Sequence, residues 1–328
     1  MKKTIKKTLQ SIMIMVLTFS CAIMPVKAED EAYTGNIPEG VEIKHLSADD
    51  FIPISQLNPR VGEKINKINS FSSRESTMVV SSGDQYEPND SIADATTGMQ
   101  GKLIQATIHS ETDLDFYKFE VTANEPLSIL LYSIPSGCDY DLYLFNYDLS
   151  EGYADFQDGS ASEEFYISLD KSGTYYVVVD SNSGYSSSPY SLYFGKSYMY
   201  GSTGWVNPNL SFAFGSVPRG TTKTSLVKNI NLTYDVSIPN GAVVTTFYLS
   251  KEGTGGEYAG FYKYLKPASG NTIQQLGGAQ AMTVPKNTLV KQDWQIWGSV
   301  EYSNYFTWQP RYFIQYEFFV TPLSTQFL

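Results

Sequence analysis

"DLDFYKFEV", residues 113–121, decides the fold. Tyr117, Phe119 and Val121 alternate with polar or charged neighbours, the period of a half-buried strand and not of a helix. The same period recurs on both sides. "PLSILLYSI" (126–134) places Leu127, Ile129 and Leu131 together, and "YDLYLFNYD" (140–148) turns Leu142 and Leu144 inward and Asp141, Tyr143 and Phe145 outward. "GTYYVVVDS" (173–181) follows a Lys-Ser-Gly turn and "SPYSLYFG" (188–195) closes the unit. Strands at this spacing with no helical run between them predict a β-sandwich over 83–197.

Farther along, "NLSFAFGSV", "LVKNINLTYDVSI", "VVTTFYLSK", "WQIWGSVEYS" and "RYFIQYEFFVT" predict a second, aromatic-rich β domain over 200–328, punctuated by Gly and Pro. The two units are not copies of each other. The expected class is therefore all-β: a jelly-roll-like sandwich followed by a second sandwich-like domain. Upstream, residues 29–82 are polar and turn-rich and read as a pro-segment or linker, with one short helix over "VGEKINKINSF". Residues 1–28 have a basic start, an apolar stretch too short to span a bilayer and small residues before Glu29, the pattern of a secretory signal peptide. No later run is long and apolar enough for a transmembrane helix, and the expected location is extracellular.

Without Lys2, Lys3, Lys6, Lys7 and Lys27 of that leader, the 23 basic residues fall to 18 against 34 acidic ones. That balance is opposite to what nucleic acid requires and suits cation binding. Cys21 leaves with the leader, so Cys138 stands alone and no intrachain disulfide can form.

The chemistry concentrates in two acidic segments. In "YEPNDSIADATT" (86–97) a proline fixes the backbone between Glu87 and the pair Asn89, Asp90. Some twenty residues later Asp113 and Asp115 enter the strand, and with Ser110 and Asp84 the oxygen count suits calcium, which takes six to eight. Asx-rich turns produce the same letters.

Taken in order, "YEPNDSIADATT", "DLDFYKFEV", "YDLYLF", "SGTYYVVV" and "PYSLYF" resemble the bacterial pre-peptidase C-terminal domain, to which the collagen-binding domains of clostridial collagenases belong, over residues 84–196. The resemblance implies a jelly-roll-like sandwich with calcium held between the segment before the first strand and the loop entering the next. Glu87, Asn89 and Asp90 match its acidic turn, Asp113 and Asp115 its acid pair, and Ser110 a serine donor of some members. The chain departs from the pattern at Gln85, where those members carry an acid, and Asp84 is the adjacent substitute. The domain is an accessory to peptidases and brings no catalytic residues.

The chain holds 25 Tyr, 18 Phe and 4 Trp. Trp294, Trp297 and Trp308 cluster near the end, and Trp294 and Trp297, three apart on a strand, face opposite sides. Rings left outward there, and Tyr143 with Tyr175 or Tyr176 in the first unit, are candidate contacts for an extracellular polymer such as a collagen-like protein or a polysaccharide. Only His45 and His109 are present, and neither an H-E-x-x-H nor a G-x-S-x-G motif occurs. The reading is a secreted, calcium-stabilised, non-catalytic binding protein. Its alternative is a secreted hydrolase, peptidase or glycosidase, with an unrecognised C-terminal catalytic domain.

Overall fold

Val, Ile, Tyr and Phe at alternate positions form strands wherever turn residues release the chain, and strands dominate this computed structural model. It describes residues 37–71, 83–253, 257–258 and 260–328. The expected leader and residues 72–82 lie outside the described residues.

The first β unit is two facing five-stranded sheets. One runs Lys44–Leu46, Glu163–Leu169, Leu127–Tyr132, Tyr190–Lys196, Ile104–Ala106, and the other Ile52–Pro53, Glu151–Tyr153, Asp139–Asn146, Gly173–Ser183, Leu114–Val121. Between them lies the expected core: Tyr117, Phe119 and Val121 meet Leu127, Ile129, Leu131, Leu142 and Leu144. Cys138 is buried at its margin as a free thiol.

Two strands of this sandwich come from the lead-in. Lys44–Leu46 pairs in parallel with Ile167–Leu169, and Ile52–Pro53 pairs with Glu151–Gly152. Over 44–71 the lead-in is thus a layer of the sandwich and not a spacer. A helix, Pro59–Phe71, contains the whole segment expected to be helical. Asn58 starts it, its Oδ1 accepting the Arg60 and Val61 amides at 3.0 and 3.4 Å, and Pro59 takes the first turn, where no N–H is missed. Val61 and Ile65, one turn apart, lie on Leu114, Phe116, Tyr143, Phe145, Tyr176 and Val178. Arg60 and Lys64 both pair with the buried Asp180, Arg60 at 3.1 Å.

This layer corrects the expectation that Tyr143, Phe145 and Tyr176 face solvent. All three are buried because the helix covers the outer side of their sheet. The Tyr143 hydroxyl accepts from Asn58 Nδ2 at 2.7 Å and donates to Asp141 at 2.9 Å. Ile65→Ala is expected to cost about 2–4 kcal/mol of stability, measured by chemical denaturation, since the side chain sits in a closed apolar layer.

The second β unit sets the sheet Tyr198–Ser202, Pro310–Phe319, Val243–Lys251, Ala281–Met282 over a second sheet built on Asp293–Val300 and Phe261–Pro267, with the pair Phe212–Val217 and Ser303–Trp308 beside them. Its core includes Phe247, Trp294, Ile296, Trp308 and Ile314, and also Leu130 and Tyr193 of the first sandwich. Along that seam Ser128 Oγ donates to the Val320 carbonyl at 3.1 Å and the Tyr166 and Phe319 rings lie 5.4 Å apart. Gly35–Leu328 is one compact unit, so the contacts do not divide at the expected boundary near 197–200.

Inside the second unit Lys263 is fully buried. Its ammonium donates to Glu257 at 2.7 Å, to the Leu249 carbonyl at 2.6 Å and to the Ala279 carbonyl. Glu257 in turn accepts the Trp308 indole N–H at 3.0 Å and the Gly278 amide at 3.1 Å. Burial holds the Lys263 pKa below its ordinary value.

Candidate metal centre

The stretch 86–97 runs beside Leu114–Val121, the last strand of its sheet. The Phe116 amide donates to the Asn89 carbonyl at 2.9 Å, the Thr96 amide to the Phe116 carbonyl at 2.9 Å, and the Lys118 amide to the Thr96 carbonyl at 2.9 Å. These bonds seal an edge that would otherwise present open N–H and C=O groups. They also bring the two acidic segments together.

Asp84 anchors the entry. Its carboxylate accepts the Tyr86 amide at 2.8 Å and both the amide and hydroxyl of Thr107, so it is spent on the fold. Glu87 accepts the Asn89 amide at 3.2 Å, and Asp90 accepts the Leu114 amide at 3.4 Å. Asp113 accepts the His109 amide at 2.6 Å. Asp115, deepest of the set, accepts the Tyr190 hydroxyl, which lies 3.1 Å from that of Tyr117. Ser110 is placed differently from its expected donor role. Its hydroxyl closes its own turn, accepting the Thr112 amide at 3.3 Å.

Ligand atoms of Glu87, His109 and Asp113 all lie within 4.8 Å of one another. His109 Nδ1 is 3.1 Å from Glu87 Oε1 and 2.6 Å from Asp113 Oδ2. The sequence analysis gave His109 no place among the metal ligands. Its signal was its position four residues before Asp113, on the turn whose amide Asp113 caps.

Electrostatics disfavours this arrangement of carboxylates. Burial pushes Asp113 up to about 8, with Glu87 and Asp90 adding repulsion. Glu87 is raised by burial and then by Asp90, and Asp115 is raised well above its usual range by burial and then by Asp113. Polar atoms are also left over: Asp113 Oδ1 and both side-chain atoms of the fully buried Asn89 have no hydrogen-bond partner, and Glu87 Oε1 faces His109 Nδ1 without a hydrogen bond between them. Excess negative charge with spare oxygens suits a cation, and the cluster offers it two carboxylates and one imidazole nitrogen.

The aromatic candidates fare differently. Trp294 and Trp308 are fully buried, their indole N–H groups satisfied by the Val290 carbonyl and Glu257, their rings packed on Phe247 and on Phe212 and Phe261. Tyr175 is buried against Phe51. None of these, nor Tyr143 or Tyr176, forms an exposed platform; sandwich cores simply use large rings. Trp297 stays half-buried, stacked on Tyr264 with ring centres 5.1 Å apart and planes 2° from parallel. Among the exposed rings that sequence reasoning missed are Trp205 and Tyr200. Trp205 stands alone in sequence, and only the bridge between Val206 and Tyr312 brings it beside Phe313.

Among solved structures, the chain is similar to a protein from Eubacterium rectale described as secreted (12% identity, 66% of this chain and 74% of that one, TM-score 0.29). It is also similar to the infectious bursal disease virus VP2 subviral particle (11%, 62% and 58%, TM-score 0.21) and to a β-porphyranase of Bacteroides plebeius (9%, 68% and 37%, TM-score 0.20). Scores this low carry no functional argument. No curated protein matches the chain. Among the described residues no helix is long and apolar enough to cross a membrane. The strands that build the heart of the first sandwich, residues 113–181, from the acid pair through Ser181, match the model of the bacterial pre-peptidase C-terminal domain.

Proposed function

We propose that this is a secreted, non-catalytic protein that attaches to an extracellular polymer, and that calcium latches its first sandwich. The observation that carries the reading is the meeting of Glu87, His109 and Asp113 at the sealed strand edge, with Asp90 beside Asp113 and buried oxygens to spare. These residues, with Asp115 behind them, would hold the ion. The match over 113–181 supports the same reading, although it begins after the Glu87–Asp90 turn. Calcium would neutralise the carboxylates and tie the turn to the strand, and an ion that binds the folded chain alone stabilises it in proportion to the logarithm of its concentration over Kd. Extracellular modules work with Kd on the order of 10⁻⁴–10⁻³ M, so the latch would set outside the cell.

Secretion is supported by the leader pattern over 1–28. The test is retention of the purified chain on fibrillar collagen, chitin and cellulose in calcium buffer, with release of soluble fragments followed in the same tubes. The expected result is retention by at least one polymer without fragment release. Fragment release that follows the protein through purification would replace adhesion with hydrolysis.

A further inference from the structure

The outer face of the sheet Tyr198–Ser202, Pro310–Phe319, Val243–Lys251 is uncovered. Cross-strand register sets Tyr200 opposite Glu317, Ser202 opposite Gln315, and Tyr248 opposite Phe313. At one end the Phe313 ring stands between Trp205 at 5.6 Å and Tyr248 at 5.7 Å. The Arg311 guanidinium lies 4.4 Å from the Trp205 ring centre, which holds the indole in place while 45% of the residue stays exposed. At the other end Tyr200 is 73% exposed. Phe313 and Glu317, which mark the two ends, are four strand residues apart, about 13 Å.

Between these ends lies a depression of about 420 Å³ lined by Tyr200, Ser202, Thr245, Phe313 and Gln315. Gly201 and Tyr316 complete the lining. The lining carries no acid and no base, in a chain of net charge −11. Glu317 stands at the Tyr200 end, unfavourable to an anion. The backbone groups of the central strand are spent on both neighbours, so this face offers a polypeptide no ladder to join. What it offers is ring faces at both ends and uncharged hydroxyl and amide groups between them. That combination recognises a ligand with apolar C–H faces and many neutral hydroxyls.

We infer that the trough bounded by Tyr200 and by Trp205, Phe313 and Tyr248 is a binding site for a neutral polysaccharide chain. This deepens the adhesion reading and rests on it; it does not depend on the calcium latch. Rings supply contact area at low entropy cost, and Ser202, Thr245 and Gln315 fix the sugar hydroxyls.

The test measures depletion of the full chain from solution by microcrystalline cellulose, chitin and insoluble xylan, with polygalacturonate gel and fibrillar collagen alongside. Tyr200→Ala, Gln315→Ala and Trp205→Ala are compared with Tyr234→Ala, an exposed ring outside the trough lining, and melting curves establish that each variant folds. The expected result is retention by at least one neutral polysaccharide, weakened about tenfold or more by Tyr200→Ala or Trp205→Ala and unchanged by Tyr234→Ala. Retention by polygalacturonate alone, or neutral-polysaccharide binding that Tyr200→Ala, Gln315→Ala and Trp205→Ala all leave intact, overturns the inference. Retention by collagen without any neutral polysaccharide overturns it while leaving the adhesion reading standing. Retention by nothing overturns both.

Discussion

Calcium at a hundred times its Kd is expected to raise the melting temperature at pH 8 by several degrees, a stabilisation of about 2.7 kcal/mol, and EDTA is expected to reverse it. Glu87→Ala and Asp113→Asn should show no such response. The pH dependence follows from burial. The folded-state pKa of Asp113 is raised to about 8 from 3.8, so the folded chain without a cation holds a proton that the unfolded chain has released. Asp113 therefore contributes stability that is fully present below about pH 4 and lost as pH rises through about 8. Glu87 and Asp115 shift in the same direction and act with the same sign. In EDTA the melting temperature should fall between pH 4 and pH 8. With calcium the carboxylates ionise against the ion and the slope should flatten. Asp113→Asn should melt higher than wild type in EDTA at pH 8, because the repulsion is gone. A wild-type melting curve that ignores calcium across this range would end the latch proposal.

Lys263→Met is expected to cost about 3–5 kcal/mol, the second large effect. The substitution leaves the Glu257 carboxylate in the core without its cation, while the Leu249 and Ala279 carbonyls lose their donor. The Trp308 indole N–H is then left to a carboxylate that prefers water. Pairing it with Glu257→Gln should recover part of the loss, since the amide oxygen can still accept one of the two N–H groups and no charge remains buried. Chemical denaturation of the two single variants and the double variant measures the coupling. A Lys263→Met protein as stable as wild type would show that the pair does not bear on the core as its geometry indicates.

Period-two alternation was enough to read the sandwich, and Tyr117, Phe119 and Val121 lie where it put them. The convergence of the two acidic segments was read from the resemblance to the pre-peptidase C-terminal domain, since the spacing alone left ordinary turn chemistry open. The covered face was not. "YDLYLFNYD" alternates apolar-in with aromatic-out, and such outward rings read as exposed unless another layer is known. The signal lay in the summed outer face: Leu114, Phe116, Tyr143, Phe145, Tyr176 and Val178 make it as apolar as the inner one, the mark of a sheet buried on both sides. Lys263 hid for a similar reason. A lone lysine alternating with tyrosines reads as solvated, and its partner Glu257 sits in a glycine-rich loop whose path no periodicity describes.

The parallel pairing of Lys44–Leu46 with Ile167–Leu169 sets an order of events. A chain that leaves the ribosome or a translocation pore amino end first exposes its earliest strand more than a hundred residues before that partner emerges. Through that interval the segment has no ladder to join, and assembly of this edge waits on a long-range encounter, the slow kind of contact. Protection of Leu46 from proteolysis would therefore begin only after Leu169 is free, and until then the newborn chain depends on whatever keeps an unpaired strand from finding a stranger.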